Sequence, residues 1–189
     1  MSRIFVFGDL HGYHKNLCRG TSRWSDVSGC RDFDNEIEMT ETLLEEINSK
    51  VGENDTIISN GDFCFGSADN VRKLRSKIRC RNIIFMYGNH DEHIKEDNSL
   101  QKLFTSCYDY LELKHNGTNV IISHYPIRSW NKMNRGSCHI FSHVHSKPRA
   151  EYGRSMDIGF DGSNYKIYSL DEVVKYLLSK PIVGEGHHV

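Results

Sequence analysis

The sequence predicts an α/β fold with a parallel sheet at its centre. Three short apolar runs, rich in β-branched and aromatic residues, alternate with two segments whose apolar residues recur at helical spacing; the runs are 4–7, 56–59 and 83–87. Each run is followed at once, or one residue later, by glycine, which is typical of a buried strand that ends in a tight turn. The order strand, helix, strand, helix, strand implies right-handed crossovers and therefore parallel pairing.

The helices between these strands are predicted from capping residues and periodicity. Asn35 is the expected N-cap of an amphipathic helix over 36–50, and a second helix is predicted over 69–80. A short helix could begin at 14–19, and the stretch 21–34 is predicted to be a polar loop. The first half of the chain therefore supplies alternating strands and crossover helices.

The second half is predicted to contain antiparallel pairing. Two extended runs, 108–114 and 119–123, flank Asn116 and Gly117, which is a strong hairpin signal. Ser169 and Glu172 form a capping box for the last helix. The other predicted elements are a short helix near 98–105, a strand over 137–141, a hairpin-like stretch over roughly 156–168 and a last helix that runs to about 179.

Composition narrows the class of protein. The chain has 189 residues and a formal net charge of −1, so charge alone attracts it neither to nucleic acid nor to a membrane. We expect no signal peptide and no membrane span, because no apolar run approaches the roughly 20 residues that a span needs. Six cysteines without a C-x-x-C pair indicate reduced thiols and a cytoplasmic location. We predict one domain over 1–182 and a flexible tail over 183–189.

Polar side chains with metal-binding chemistry follow five of the predicted strands. They are Asp9, His11, Asp62, Asn89, His90, His124, His143 and His145. Ligands bind at the carboxyl ends of strands in open α/β sheets, so these side chains are expected to meet. Carboxylate, imidazole and amide ligands suit Mn²⁺, Fe²⁺ or Zn²⁺. Without His90, seven ligands suffice for two ions roughly 3.5–4 Å apart.

Two pairs of these ligands are spaced by two residues. Asp9 and His11 form one pair, and His143 and His145 form the other. In an extended segment, residues i and i+2 lie on one side, so we expect each pair to point in one direction.

The motifs that contain these residues, taken in order, resemble a known superfamily. GDLHG, GDF, GNHD, SHYP and SHVH are similar to the five motifs of the calcineurin-like metallophosphoesterases. The similarity is greatest to the small single-domain phosphoesterases of bacteria and their viruses, as DLHGYH, EMTETLLEEI, SHYPIRSW and DIGFD also indicate. It covers about 3–175 and implies an α/β/β/α sandwich of two mixed β-sheets flanked by helices.

The resemblance also implies roles for individual residues. Asp9, His11 and His145 would hold the first metal ion. The second would be held by Asn89, His124 and His143, Asp62 would bridge the two ions, and His90 would face the scissile phosphate as a general acid. Mn²⁺ is the expected metal, with Fe²⁺, Zn²⁺, Ni²⁺ and Mg²⁺ as alternatives.

One position departs from the family pattern. Many relatives read G-D-x-x-D, where the second aspartate orients the motif histidine, but this chain has Phe65 at that position. Asp91 cannot be assumed to substitute for it, because the direction of its side chain does not follow from the sequence. The resemblance therefore supports the metal ligands more directly than the general-acid role of His90.

Five further features admit two interpretations each. His14 could reach the substrate or lie on the surface, and Cys64 is a buried structural thiol rather than a nucleophile. The basic run 72–81 is interpreted as a solvated helix face, with nucleic-acid binding as the less favoured alternative. Arg128 could pair with a phosphate. Trp130 could stack on a base or cap the core.

The predicted function is hydrolysis of a small phosphate ester or nucleotide, with a hydroxide that bridges two metal ions as the nucleophile. A phosphodiesterase is favoured over a phosphomonoesterase because no inserted cap domain is visible, which suggests an open groove. A non-catalytic scaffold of the same fold is the rival from another class, and such a scaffold should lack some of the ligands. The sequence leaves the substrate and the oligomeric state open.

Overall fold

Two mixed β-sheets flanked by helices form the protein, as the resemblance implied. The computed structural model describes residues 2–145 and 151–183. The predicted tail over 183–189 therefore lies almost wholly outside the described residues. Within them, no helix is long and apolar enough to cross a membrane.

The first sheet has five strands in the order β4-β3-β2-β1-β9. They are β1 (Ile4–Phe7), β2 (Thr56–Asn60), β3 (Asn82–Met86), β4 (Ser106–Tyr108) and β9 (Tyr168–Ser169). Neighbouring strands from β1 to β4 pair in parallel, and β9 pairs with β1 in the antiparallel sense. The predicted parallel sheet is thus confirmed, with one antiparallel strand added at its edge.

The second sheet has four strands in the order β5-β6-β7-β8. They are β5 (Tyr110–His115), β6 (Thr118–Ser123), β7 (Cys138–Phe141) and β8 (Ser155–Asp157). The predicted hairpin is confirmed, because β5 and β6 pair antiparallel around Asn116 and Gly117, which both have positive φ. β6, β7 and β8 then pair in parallel.

Five α-helices accompany the sheets in the described part of the chain. They are α1 (Glu36–Lys50), α2 (Ala68–Lys77), α3 (Glu92–Glu96), α4 (Asn98–Gln101) and α5 (Leu170–Ser179). Asn35 caps α1 by accepting from the backbone N–H groups of Ile37 and Glu38, and Ser169 and Glu172 form the predicted capping box of α5. The possible helix at 14–19 is a single 3-10 turn, Lys15–Leu17.

Side chains along the strands of the first sheet point alternately to its two faces, and a hydrophobic core lies on each face. Phe5 and Phe7 face the helical side, where Leu43 and Leu74 pack against them. Val6 faces the other sheet, in a core that includes residues of β6, β7 and α5. Because successive side chains in a strand point to opposite faces, β1 joins both cores. The two sheets are held face to face by this second core.

Two predictions about the second half were wrong. The extended run 108–114 is divided, since β4 belongs to the first sheet and β5 to the second, and the chain passes between the sheets at Asp109. The stretch 156–168 is not a hairpin, because β8 and β9 also lie in different sheets. Local periodicity cannot reveal which sheet a short strand joins.

Candidate metal centre

The polar strand ends of the two sheets meet at one edge of the sandwich. The backbone N–H of Asp9, after β1, donates to the carbonyl of Gly61, after β2, at 3.1 Å. In the second sheet, the N–H of Ser142, after β7, donates to the carbonyl of His124, after β6, at 2.9 Å. The backbone N–H of His143, which donates to the carboxylate of Asp9, then joins the ends of the two sheets. The polar residues of the strand ends therefore lie in one cluster, as the sequence predicted.

One group of ligands contains Asp9, His11 and His145. One ligand atom from each lies within 4.8 Å of those of the other two, which is the set that the resemblance assigned to the first metal ion. Asp9 and His11 are buried, whereas the side chain of His145 is 35% exposed. The three residues form an open-sided group of one carboxylate and two imidazoles.

The second group contains Asp62, His124 and His143, again with one ligand atom of each within 4.8 Å of the others. Asn89 belongs with it, because its Oδ1 lies 2.8 Å from Nδ1 of His143 and 3.1 Å from Nε2 of His124. This set matches the residues that the resemblance assigned to the second ion and to the bridge.

Asp62 lies between the two groups. Its Oδ2 is 3.6 Å from Nε2 of His11, in the first group, and 3.6 Å from Nε2 of His124, in the second. Its other oxygen, Oδ1, accepts the backbone N–H of His90 at 2.9 Å, which fixes the orientation of the carboxylate. One carboxylate oxygen is therefore directed at both groups.

The hydrogen bonds of His124 leave a position that suits a cation. Nδ1 lies 2.9 Å from the carbonyl of Asn60, which can only accept, so Nδ1 carries the proton. Burial lowers the pKa of His124, so the ring is neutral at pH 7 and Nε2 has a lone pair. That lone pair faces the acceptor oxygens of Asn89 and Asp62. Acceptors directed at one another are satisfied by a metal ion between them.

The first group also contains an imidazole nitrogen that suits a cation. Nε2 of His11 is buried and has no hydrogen-bond partner among the described residues. Burial lowers the pKa of His11 well below its usual value, so the imidazole is neutral. Burial also raises the pKa of Asp9 to about 8, and the charge interaction with His145 offsets only part of this rise. A divalent cation would satisfy the imidazole and stabilise the carboxylate together.

The backbone at these ligands differs from the expectation. Asp9, His11, His143 and His145 all have positive φ, between 47° and 74°, so neither i, i+2 pair lies in an extended segment. The ligands of each pair therefore do not share a side of a strand. Asp9 and His11 converge because the chain turns sharply after β1, and His143 and His145 join different groups. Non-glycine residues with positive φ are strained, and such residues cluster at functional sites.

Two glycines give the centre its close packing. A Cβ atom on Gly88 would lie 2.2 Å from Oδ1 of Asp62, and one on Gly61 would lie 2.4 Å from Nδ1 of His124. Gly61 also has a φ of +87°, which favours glycine. The motif glycines are therefore required for the approach of the backbone to the ligands.

Arg31 and Asp161 support the first group from behind. Nδ1 of His145 lies 2.7 Å from Oδ2 of Asp161, and both oxygens of Asp161 accept from the guanidinium of Arg31 at 2.9 Å. Arg31 is buried and also donates to the backbone carbonyls of Asp9 and Leu10. Burial alone would raise the pKa of Asp161, but the hydrogen bonds from Arg31 and His145 hold it well below its usual range.

This support leaves Nε2 of His145 available to a metal ion, because the proton lies on Nδ1, toward Asp161. The support of His145 by Asp161 and Arg31 could not be predicted from the sequence. Asp161 belongs to DIGFD, a motif noted without a role, while Arg31 lies in the polar loop 21–34 and gives no sequence signal.

Asp91 organises the backbone of the centre and does not orient His90. Its carboxylate is buried and accepts the N–H groups of Asp62, Phe63 and Gly88 at 2.6, 3.0 and 2.8 Å. These bonds tie the end of β2 to the end of β3. Asp91 therefore does not replace the aspartate that relatives have in place of Phe65.

His90 lies at the exposed edge of the centre, among aromatic rings. Its ring centroid is 5.6 Å from that of His11 and 5.5 Å from that of Phe65. His14 is buried rather than on the surface, and its ring centroid lies 3.9 Å from that of Phe65. Burial lowers the pKa of His14 to about 4, so its ring is neutral at pH 7. The surface interpretation of His14 was wrong.

Three other predicted features have clear positions. Trp130 is buried, and its Nε1 donates to the carbonyl of Ser137 at 3.3 Å, so it belongs to the core. Cys64 is buried, and burial raises the pKa of its thiol to about 12, as expected of a structural cysteine. The guanidinium of Arg128 lies over the ring of Tyr152 at 3.6 Å, and phosphate binding by Arg128 stays a prediction.

The basic run 72–81 makes contacts within the protein. Lys77 pairs with Glu41 of α1, and Arg81 with Glu53. Arg75 is partly buried and donates to the carbonyls of Leu103, Ile78 and Arg81. The acidic segment of α1 thus balances part of this run, as the sequence suggested.

Comparison with known proteins connects this geometry to a family. The family model described as calcineurin-like phosphoesterase matches residues 2–153. The chain is 26% identical to Uncharacterized protein MJ1445 of Methanocaldococcus jannaschii over 191 residues, which covers 97% of this chain and 96% of the relative.

Two solved structures are also similar. One is the protein of unknown function AQ665 from Aquifex aeolicus, with a TM-score of 0.69, 20% identity, and coverage of 93% of this chain and all of that one. The second is a novel archaeal phosphodiesterase, with a TM-score of 0.48, 20% identity, and coverage of 83% and 82%. The first supports the fold alone, and the second is too distant to bear on the activity.

Proposed function

Because this chain belongs to the calcineurin-like phosphoesterase family, we propose that it hydrolyses a small phosphate ester at a centre of two divalent metal ions. The observation that carries the proposal is the position of Asp62, whose Oδ2 is 3.6 Å from an imidazole nitrogen of each ligand group. Two groups that share one carboxylate oxygen fit a pair of ions better than they fit a single tetrahedral ion.

Each of the two groups would hold one of the two ions. Asp9, His11 and His145 would hold one, and the other would be held by Asn89, His124 and His143, with Asp62 shared. Bound there, the two cations would acidify a water molecule and neutralise charge on the phosphate oxygens. Mn²⁺ is the proposed metal, and Fe²⁺, Zn²⁺, Ni²⁺ and Mg²⁺ are alternatives with the same ligand types.

The chain's own side chains would perform the remaining steps. The hydroxide left when the acidified water has lost its proton to solvent would attack phosphorus in line with the leaving oxygen. His90, at the exposed edge of the centre, would donate a proton to that oxygen as its bond to phosphorus breaks. Asn89 and Arg128 would bind non-bridging phosphate oxygens by hydrogen bonds. Cys64 would take no part as a nucleophile, because burial keeps its thiol protonated. Direct attack by hydroxide would require no covalent intermediate.

A phosphodiester is the favoured substrate class, and a monoester or nucleotide phosphatase reaction is the alternative. The exposed positions of Asn89 and His90 leave the centre open enough for a second ester group. A non-catalytic scaffold is disfavoured because the ligand set has no gap.

The direct test is a screen of phosphomonoesters, phosphodiesters and cyclic nucleotides with Mn²⁺, Mg²⁺, Ni²⁺ and Zn²⁺ added separately to chelator-treated protein. We expect hydrolysis that requires added metal, is highest with Mn²⁺ and favours diesters. Asp62→Asn should abolish it and lower the metal content. Near-normal turnover by Asp62→Asn with both metals retained would exclude the proposed bridge.

A further inference from the structure

A cavity of about 520 Å³, here called the side cavity, opens next to the candidate metal centre. Tyr13, His14, Arg23, Phe65 and Asn70 are among the residues that line it. Two of its walls touch the centre. The ring of His14 is 5.5 Å from that of His11, and the ring of Phe65 is 5.5 Å from that of His90. An ester bound at the centre with its leaving oxygen near His90 would extend its organic part into this cavity.

Two aromatic side chains at or near the side cavity are exposed. Phe65 is 38% exposed although it packs on His14 with their ring centroids 3.9 Å apart. The ring centroid of Trp24 lies 6.2 Å from that of His14, and Trp24 is 48% exposed. Exposed aromatic faces next to a cavity are suited to stacking on a flat ligand, because every planar ring offers a face of the same kind.

Polar atoms in the walls lack partners. Oη of Tyr13 and Nδ1 of His14 are buried and have no hydrogen bond within residues 2–145 and 151–183. Buried polar groups are nearly always hydrogen-bonded, so two atoms without partners in the same cavity wall indicate a missing partner. A ligand with donors and acceptors around a flat ring would provide such partners, whereas an acyl chain would not.

The mouth of the side cavity is positively charged. Lys15 and Arg23 line it and are exposed, and Lys15 is 3.7 Å from Glu36, which offsets part of its charge. Cations beside the cavity attract an anionic ester to this side of the centre, and a phosphate ester that carries a ring is such an anion. Ring, hydrogen-bonding edge and phosphate together describe a nucleotide.

We propose that the side cavity is a nucleobase subsite, so that the substrate of this protein is a nucleotide ester with its phosphate at the metal centre. The base stacks on Phe65, beside His14 and near Trp24, and its edge faces the wall that contains Tyr13 and Asn70. This inference rests on the proposed function for the position of the phosphate. It adds the substrate class, which the metal ligands do not determine.

A kinetic comparison tests the subsite with two substrates that differ only in the base, adenosine 5′-(methyl phosphate) and ribose 5-(methyl phosphate), in the presence of Mn²⁺. We expect kcat/KM to be at least about tenfold higher for the nucleotide, which corresponds to about 1.4 kcal/mol, mainly through a lower KM. Phe65→Ala should reduce that ratio to near one. Tyr108→Ala, which removes a side chain that is 40% exposed and outside the cavity, should leave the ratio unchanged.

Equal kcat/KM for the two substrates in the unmodified protein would overturn the subsite while leaving the proposed function intact. Equal losses on both substrates in Phe65→Ala would also overturn it, since they would indicate a general effect on the centre. If neither substrate is hydrolysed with any metal, that result would instead count against the proposed function. The nucleobase subsite would then be tested by ligand binding alone.

Binding can be measured without metal or turnover by tryptophan fluorescence. The chain has two tryptophans, and Trp130 is buried in the core, so a ligand in the side cavity should affect only Trp24. Adenosine 5′-monophosphate should quench the emission saturably, and ribose 5-phosphate should not. The quenching should disappear in Trp24→Phe. Equal responses to both ligands, no quenching, or quenching that persists in Trp24→Phe would refute the base-stacking position.

Discussion

Nδ1 of His145 lies 2.7 Å from Oδ2 of Asp161, and that carboxylate also receives two hydrogen bonds from the buried guanidinium of Arg31. The imidazole is thereby held in one tautomer and one orientation, with Nε2 directed away from the pair. Carboxylates that bind the second nitrogen of a ligating histidine raise its basicity and fix its direction. Arg31 and Asp161 are therefore positioning residues for the first ligand group.

Asp161→Asn should weaken the first metal site by about 10- to 100-fold, because the amide holds the Nδ1 proton of His145 less strongly and leaves Arg31 with one charged partner fewer. Isothermal titration with Mn²⁺ measures this. Asp171→Asn is the matched control, since Asp171 lies 2.8 Å from His115 in an exposed pair on another part of the surface. Equal affinities for the first metal in Asp161→Asn and the unmodified protein would refute the role.

Gly88→Ala should lower metal binding and activity, since its Cβ would lie 2.2 Å from Oδ1 of Asp62 and would displace the proposed bridge. We expect loss of at least one equivalent of metal, measured by elemental analysis. Gly29→Ala provides the control, because a Cβ there meets no atom within 4 Å. Full metal occupancy in Gly88→Ala would show that metal binding does not need the close approach of the Gly88 backbone to Asp62.

The role of His90 can be tested with leaving groups of different basicity. His90→Ala should slow hydrolysis of an alkyl phosphodiester by about two to four decades, because the alkoxide needs a proton. It should slow a nitrophenyl ester far less, since nitrophenolate leaves without one, and metal content should be unchanged. Equal losses on both esters would restrict His90 to binding or positioning the substrate.

Buried His139 predicts a pH dependence of stability that is separate from the centre. Burial lowers its pKa to about 4, and its ring lies between the carbonyl of Ile121 and the N–H of Ile127. Between about pH 6.5 and pH 4 the unfolded chain therefore binds a proton that the folded chain does not. The free energy of unfolding should fall over this window, by up to about 3 kcal/mol from this group.

The measurement is urea unfolding at pH 7 and at pH 4.5, in chelator, of the unmodified protein and of His139→Gln. Glutamine keeps a donor and an acceptor but does not titrate in this range. The variant should lose less stability between the two pH values. An identical loss in both proteins would mean that His139 does not contribute.

The candidate ligands could be predicted from the sequence because each lies in a short motif directly after a strand, and the ends of parallel strands necessarily meet. The convergence of Asp9 and His11 was predicted for the wrong reason, since both have positive φ. A short motif specifies which side chains are present but not the backbone conformation that brings them together.

Arg31 could not be predicted, because it is separated from Asp161 by 130 positions and lies in a loop without periodicity. The division of 108–114 between two sheets was missed for a related reason. A run of alternating residues looks the same whether its strands pair with one sheet or with two, and only tertiary contacts distinguish the cases.

The central claim is that two metal ions bound by one chain support phosphoester hydrolysis. Its most direct test is a titration of chelator-treated protein with Mn²⁺, in which bound metal and the rate of phosphodiester hydrolysis are measured in the same samples. We predict that the rate rises with occupancy and reaches its plateau at two equivalents per chain. A plateau at one equivalent, or no hydrolysis when two are bound, would contradict the account.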